Sequence, residues 1–163
     1  MVTALDVASA VRDPELPVLT LADLGVLRSV EEEDGRVLVT ITPTYSGCPA
    51  VEEMGADLKR SLRAAGYAEV EVRTSLSPAW TTDWISDEGR RKLAEAGIAP
   101  PSRVGPRAVG PVPLTLTPPS QRVPCPRCGS HRTEQLSRFG STACKALRRC
   151  LDCAEPFEHI KEI

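Results

Sequence analysis

Residues 125–153 read CPRCGSHRTEQLSRFGSTACKALRRCLDC. The run contains two C-x-x-C pairs, Cys125 with Cys128 and Cys150 with Cys153. Two thiolates at this spacing can bind one ion, and Gly129 suits the tight turn that must follow such a pair. Zinc prefers four ligands of this kind in a closed tetrahedron. The pattern therefore predicts a zinc-ribbon-like module over residues 124–163.

The size of this module supports a structural metal. A chain of about 40 residues buries too little surface to fold alone, and metal binding can supply roughly 10 kcal/mol. An iron–sulfur cluster on the same cysteines is the alternative. Cys144 lies beside Lys145 and is a possible accessory ligand, although packing explains it equally well. We expect His131 and His159 to face the surface or a partner.

A proline-rich stretch precedes the module. Nine prolines fall between Pro100 and Pro126, which predicts a semi-rigid linker over 100–123. Charge also changes here: residues 1–99 hold 10 Lys and Arg against 17 Asp and Glu, whereas residues 100–163 hold 10 against 5. The sequence therefore predicts two modules, the first over residues 1–99.

The first module has the pattern of a small α+β domain. Strands are predicted at 26–33 and 36–42, joined by the hairpin signal Asp34-Gly35. A helix is predicted at 49–65 and a further strand at 68–74. With an N-terminal helix, the order is helix, strand, strand, helix, strand. We expect helices packed on one face of a sheet.

One cysteine stands alone, in TPTYSGCPA at residues 42–50. If the helix begins at Pro49, Cys48 is its cap residue, and the partial positive charge there would lower the pKa of the thiol. This predicts a nucleophile or a single exposed thiolate that binds a soft metal. The alternative is a small buried cysteine that covers a helix end.

Both tryptophans of the chain fall in SPAWTTDW, just before a helix predicted at 86–96 with Ser86 as its cap. Trp80 and Trp84 form either a small core or an anchor for docking a partner protein.

Several classes of protein are disfavoured by composition. The N-terminus lacks the basic and apolar regions of a signal peptide, and no apolar run is long enough to cross a membrane, so we expect a cytoplasmic protein with no membrane partner. The net charge of −2 argues against nucleic acid as a partner. The alternative of a nucleic-acid-binding ribbon would rely on Arg127, Arg132, Arg138, Arg148 and Arg149.

Residues 13–27, DPELPVLTLADLGVL, together with the Gly-Cys-Pro loop, resemble the SufT-like domain of iron–sulfur cluster assembly factors. The resemblance covers about residues 4–75. It implies that Cys48 handles iron or a cluster, and it extends less directly to Asp13 and Glu15.

The segments LSPAWTTDWIS, GRRKLAEAGIAPP, CPRCGS, FGSTACKALRRC and EPFEHIK resemble the PaaD-type subunit of the phenylacetyl-CoA epoxidase system. This resemblance implies an accessory protein of aerobic phenylacetate catabolism that is not catalytic alone. It would deliver an iron–sulfur cluster or iron to the oxygenase or reductase subunits, with Zn²⁺ at the tail cysteines and a transient cluster or iron at Cys48. A homodimer could complete the site at Cys48. A purely structural subunit of the oxygenase complex is the alternative.

Overall fold

A computed structural model describes residues 2–105 and 122–163. The chain divides into two compact units, Met1–Leu93 and Ala94–Ile163. This division lies a few residues before the boundary expected after residue 99, because Ile98–Ala99 forms a strand of the second unit's sheet. Most of the predicted linker, residues 106–121, lies outside the described residues.

The first unit has the element order that the sequence predicts. Its elements are helix α1 (Ala4–Ser9), strands β1 (Leu27–Glu33) and β2 (Arg36–Ile41), helix α2 (Val51–Ala64) and strand β3 (Glu69–Thr74). β1 and β2 pair antiparallel, and β3 pairs parallel to β2, so β2 is the central strand. Asp34 and Gly35 both have positive φ, as the tight hairpin turn requires.

The core of this unit is aliphatic. Val37, Val39 and Ile41 alternate along β2 and are all buried. Met54, Leu58 and Leu62 recur every four residues along α2 and are buried as well. Each such side chain contributes about 1.5–3 kcal/mol when it leaves water. The two periodicities, two for the strand and near four for the helix, therefore account for the helix-on-sheet packing.

Two loops of this unit meet at one edge of its sheet. The Thr42 amide, just after β2, donates to the Val26 carbonyl, just before β1, over 2.8 Å. Val26 in turn donates to Leu21, and the Asp13 amide donates to Leu19, both over 3.0 Å. This series of hydrogen bonds places the loop that holds Asp13 at the sheet edge where the Cys48 loop begins.

Of the two tryptophans, Trp80 lies in the interior and Trp84 is partly covered. Trp80 is only 4% exposed, and its indole nitrogen donates to the Leu24 carbonyl over 2.9 Å. Trp84 is half-buried, with the Arg28 guanidinium 3.6 Å above its ring centroid. The alternative of a small core therefore describes Trp80 better, and docking of a partner by either tryptophan stays a prediction. The physical reason is that the indole N–H finds its partner inside the protein.

Helix α3 (Asp87–Glu95) begins as the sequence predicts. The Ser86 hydroxyl accepts a hydrogen bond from the Gly89 amide over 2.9 Å, which satisfies one free donor of the first turn. Asp23 connects this helix to the preceding turn, because its carboxylate accepts a 2.8 Å hydrogen bond from Lys92. None of the helices in the described residues has the length and hydropathy needed to cross a membrane.

The second unit is a β-ribbon module, as predicted. Its strands are β4 (Ile98–Ala99), β5 (Thr133–Ser137), β6 (Lys145–Cys150) and β7 (Pro156–Ile160). Their order in the sheet is β4-β7-β6-β5; β4 pairs parallel to β7, and the other pairs are antiparallel. A small core unites residues from both sides of the proline-rich stretch: Ala99, Val123, Cys125, Cys150 and Phe157.

His159 contradicts its expected surface position. It is 1% exposed within β7, and its Nε2 atom lies 3.4 Å from a carboxylate oxygen of Glu162. Burial opposes ionisation of Glu162, but hydrogen bonds from His159 and from the Ser102 amide outweigh it and lower its pKa to about 2. The sequence alone did not predict this burial, because it did not show that His159 lies on the inward side of a strand. His131 is exposed, as expected.

Candidate metal centre

The four cysteines of the two C-x-x-C pairs converge in the second unit. Their Sγ atoms all lie within 4.8 Å of one another. Two of these separations join one pair to the other: Cys125 lies 3.8 Å from Cys153, and Cys128 lies 3.6 Å from Cys150. The group is built across long sequence separations, because the end of β6 brings the second pair to the loop that precedes β5.

These separations fit a zinc ion. Four Zn–S bonds of about 2.3 Å in a tetrahedron place the sulfurs about 3.8 Å apart. A disulfide would need about 2 Å, and all four thiols are free. Thiolate ligands in a tetrahedral set suit zinc or iron–sulfur chemistry. When bound, a zinc ion would tie the two pairs together, and these four side chains would hold it.

The two pairs sit in turns of the same construction, which we call the knuckles: CPRCGS at 125–130 and CLDCAE at 150–155. In each, the first cysteine amide donates to the carbonyl of the sixth residue, over 2.9 Å in the first knuckle and 3.0 Å in the second. The fifth residue has positive φ in both, 74° at Gly129 and 62° at Ala154. Alanine occupies a conformation there that favours glycine.

Backbone amides and neighbouring thiols set the acidities at this site. The amide of Cys153 lowers the pKa of Cys150 to about 7, with further help from the Asp152 amide and against the effect of burial. The Ser130 amide lowers the pKa of Cys128, but the Cys150 thiol and burial outweigh it and raise this pKa to about 12. Of Cys128 and Cys150, Cys150 is therefore the thiol that ionises first, and its thiolate is the more favourable of the two for the first contact with a cation.

Cys144 lies outside the four-cysteine group. It is half-buried, and its sulfur is 3.1 Å from the Thr142 hydroxyl. The ammonium of the neighbouring Lys145 pairs with Glu158 over 2.9 Å instead of facing this thiol. An accessory ligand role for Cys144 stays a prediction, and packing is the arrangement that these contacts describe.

Cys48 differs from its prediction in two respects. Helix α2 begins at Val51, and its cap residue is Ala50, which makes no side-chain cap hydrogen bond, so Cys48 precedes the cap. A turn delays the helix, because Cys48 donates from its amide to Tyr45 and accepts from Val51 at its carbonyl. The side chain is also buried, at 8% exposure, so the expected exposed thiolate is wrong and the buried alternative describes it better.

Asp13 and Glu15 lie together in the loop of the first unit that is described above. Asp13 is 5% exposed, and its Oδ1 atom accepts hydrogen bonds from the amides of Glu15 and Leu16, over 2.8 and 2.7 Å. This contact stabilises the turn directly. Among the described residues, no group of three or more potential metal ligands includes Asp13, Glu15 or Cys48. Iron handling by these three residues stays a prediction.

The arginines of the ribbon have acidic neighbours. Arg127 pairs with Glu155 over 3.2 Å and Arg132 with Asp152 over 2.6 Å. Arg149 pairs with Glu134 across β5 and β6, and Arg148 is buried. These contacts offset the positive charge on which the nucleic-acid alternative would depend.

Sequence reasoning missed the polar residues that surround the sulfurs, namely Ser130, Asp152 and Glu155. The equivalent spacing of the two knuckles in the sequence could have identified these residues. Each of these residues follows or separates the cysteines of a C-x-x-C pair, at positions whose amides face sulfur in the folded protein.

Two protein-family profiles match the chain. One, described as an iron–sulfur cluster assembly protein, matches residues 3–73, and the other, described as the PaaD zinc beta ribbon domain, matches residues 110–161. The first match includes Asp13, Glu15 and Cys48, and the second includes all four cysteines of the knuckles.

Known proteins resemble the chain over different lengths. A protein of Escherichia coli (strain K12), named provisionally as a subunit of 1,2-phenylacetyl-CoA epoxidase, is 44% identical over 94% of this chain and 87% of its own length. An Fe-S protein maturation auxiliary factor of Porphyromonas gingivalis is 34% identical over 51% of this chain and 80% of its own. A crystal structure of a domain of unknown function, DUF59, from Bacillus anthracis superposes with a TM-score of 0.51 at 28% identity, covering 55% of this chain and 87% of that one.

The shorter relatives match about half of the chain, whereas the Escherichia coli protein matches 94% of it. With its zinc-ribbon cysteines and its iron–sulfur assembly domain in one polypeptide, the chain belongs to the PaaD family of phenylacetyl-CoA epoxidase subunits.

Proposed function

We propose that this chain is a cytoplasmic accessory subunit of a phenylacetyl-CoA epoxidase system, not catalytic alone, which handles an iron–sulfur cluster or iron for the oxygenase or reductase subunits. One observation carries the proposal: a single chain joins an iron–sulfur assembly domain at residues 3–73 to a zinc ribbon at 110–161. Relatives that match about half of the chain are named as Fe-S protein maturation auxiliary factors, and a relative that matches 94% of it is named provisionally as an epoxidase subunit.

We assign zinc to Cys125, Cys128, Cys150 and Cys153 as a permanent structural ion. The separations between their sulfurs support this assignment, and so does the small core of the module, which holds Phe157 as its one aromatic residue. Zinc has no redox chemistry of its own and would supply folding free energy instead. The module would then serve as a stable docking element for the epoxidase subunits.

We assign the exchangeable iron or cluster to Cys48. One thiolate holds such a cargo weakly, so release to a client is easy, and a second subunit must complete the ligand set. A homodimer or a site shared with the client supplies those ligands. Because Cys48 is nearly covered, residues 42–50 must open locally for transfer. This segment contains no helix or strand, and irregular segments open at a lower free energy than strands or helices do.

The test compares Cys48→Ser with Cys144→Ser, a matched change at a cysteine that also lies outside the four-cysteine group. Each variant is produced anaerobically with the reductase and oxygenase subunits, and the iron and zinc contents of every component are measured. We expect zinc near one per chain in both variants, and a loss of iron or cluster in the client only with Cys48→Ser. A fully loaded client in the Cys48→Ser background would remove Cys48 from the mechanism.

A purely structural subunit is the second candidate, and the burial of Cys48 favours it. In that case the chain would stay in stoichiometric complex with the oxygenase, whereas a maturation factor would leave once its client is loaded. Size-exclusion chromatography of the loaded system, with quantification of this chain in the oxygenase peak, separates the two candidates.

A further inference from the structure

The two knuckles are tied to each other by a reciprocal set of side-chain contacts. The third residue of the first knuckle, Arg127, pairs with the sixth residue of the second, Glu155, over 3.2 Å. The third residue of the second knuckle, Asp152, accepts a hydrogen bond from the hydroxyl of the sixth residue of the first, Ser130. Arg132 adds a 2.6 Å contact to the same carboxylate. We call these five residues the clamp.

The clamp uses residues whose backbones already serve the sulfurs. The backbone amides of Ser130, Asp152 and Glu155 each lower the pKa of a thiol in their own knuckle, namely Cys128, Cys150 and Cys153, respectively. Each of these residues therefore has its backbone on a cysteine of its own knuckle and its side chain on the opposite knuckle. A movement of either knuckle away from the other must break a clamp contact as well as disturb an amide that faces sulfur.

Backbone contacts reinforce this arrangement on one side only. The amide of Leu151, inside the second knuckle, donates to the Arg132 carbonyl over 2.8 Å, and the Arg132 amide donates to the Ser130 hydroxyl over 3.0 Å. Among the described residues, no backbone hydrogen bond of this kind supports the contact between Arg127 and Glu155. The Asp152 side of the clamp should therefore matter more than the Glu155 side.

We propose that the clamp positions the amide donors of both knuckles and thereby controls how long the four cysteines retain their metal ion. This inference rests on the metal site assigned above, but it concerns the residues around the ligands. A bound ion can leave only when cysteines of the two knuckles separate, and the clamp bridges that separation. Outer contacts of this kind orient ligands and change metal affinity by about 10–100-fold.

The measurement is the rate of zinc transfer from the full-length chain to an excess of the chromogenic chelator 4-(2-pyridylazo)resorcinol. We expect Asp152→Asn to release zinc about tenfold faster than the unmodified chain, at the lower end of the effect of outer contacts, and Glu155→Gln to do so by a smaller factor. The matched control is Glu134→Gln, which removes the comparably exposed ion pair with Arg149 in the same sheet but leaves the clamp intact.

A charge exchange separates positioning from a general loss of structure. Arg127→Glu alone places two acidic side chains together, and the double variant Arg127→Glu with Glu155→Arg restores the pair in reverse. We expect fast release from the single variant and near-normal release from the double variant. If Asp152→Asn does not fold, Arg132→Gln keeps the contact between Ser130 and Asp152 and tests the same side.

The outcomes are distinct. Zinc release at the unmodified rate from the clamp variants overturns the proposal, and so does equal acceleration by Glu134→Gln or a failure of the double variant to recover. In each of these cases, one zinc per unmodified chain would leave the zinc assignment standing. An unmodified chain that binds no zinc overturns both the clamp and that assignment.

Discussion

Replacing Asp13 with alanine removes a carboxylate that is 5% exposed and accepts two backbone hydrogen bonds. The bond from Leu16 is buried, and the one from Glu15 is partly buried. A hydrogen bond to a charged group contributes about 1.5–3 kcal/mol, and the partly buried amide can recover some of this from water. We therefore expect Asp13→Ala to lower the free energy of unfolding of the first unit by about 3 kcal/mol. Asp13→Asn keeps an oxygen acceptor and should cost about 1 kcal/mol.

Tryptophan fluorescence is the suitable assay, because both tryptophans of the chain lie in the first unit. With a urea slope of about 1 kcal/mol per molar, the unfolding midpoint should fall by about 3 M for Asp13→Ala and about 1 M for Asp13→Asn. Asp57→Ala, which removes an exposed ion pair with Arg60, is the control and should change the stability by about 0.5 kcal/mol or less.

An unchanged midpoint for Asp13→Ala would refute this reasoning. Two possible outcomes for Asp13→Asn also distinguish a structural role of Asp13 from a role as an iron ligand. A stable Asp13→Asn protein that still loads its client with iron makes the carboxylate a part of the fold. A stable Asp13→Asn protein that no longer does so makes it a ligand, as the family resemblance implied.

Three further predictions concern titration, backbone strain and metal binding. Burial would raise the pKa of Asp23, but hydrogen bonds from Lys92 and the Thr20 amide lower it below its ordinary value of 3.8; its stabilisation is therefore complete at neutral pH and lost as the pH falls through this lowered pKa. The difference in urea midpoint between the unmodified chain and Asp23→Asn should accordingly shrink between pH 7 and a pH below the lowered pKa of Asp23, and a constant difference would contradict this prediction. Ala154 has a positive φ of 62°, so Ala154→Gly should relieve backbone strain and stabilise the zinc-loaded ribbon by about 1 kcal/mol. The gain should appear as slower hydrogen exchange in β6 and β7, and unchanged exchange would exclude strain at residue 154. Because the pKa of Cys128 is raised to about 12, this thiol is protonated at pH 7 and zinc binding must displace its proton, so a pH indicator should record proton release and the affinity should weaken as the pH falls. Binding without proton release would show that Cys128 is already ionised at pH 7 and would contradict the raised pKa.

Local backbone chemistry explains what could be predicted about the fold. The hairpin at Asp34-Gly35 follows from two positive φ angles that few other residue pairs tolerate, and Ser86 caps α3 because its hydroxyl lies within reach of the first free amides. The alternation of Val37, Val39 and Ile41 at period two is enough to identify the buried face of β2. Each of these signals acts over a few residues.

The start of α2 shows where such signals fail. Pro49 is compatible with a first helical position, but it is equally compatible with the turn that the chain adopts, and the two differ by little in free energy. The preceding turn and the packing of the first unit place the cap at Ala50, and Cys48 is consequently enclosed instead of exposed. Accessibility depends on neighbours that are remote in sequence, so the reactivity of this thiol could not be derived from its flanking residues.

The sequence alone determined that two C-x-x-C turns would each present a pair of thiols, because that spacing and the turn after it are properties of a few consecutive residues. Only the tertiary structure decided that Cys125 meets Cys153 and Cys128 meets Cys150, that Arg127 and Asp152 reach the opposite knuckle, and that Ile98–Ala99 joins the ribbon sheet. The physical reason is that these contacts join segments separated by the proline-rich stretch or by a whole hairpin. Their geometry is fixed by packing and strand pairing across the unit, and no local preference of the chain encodes it.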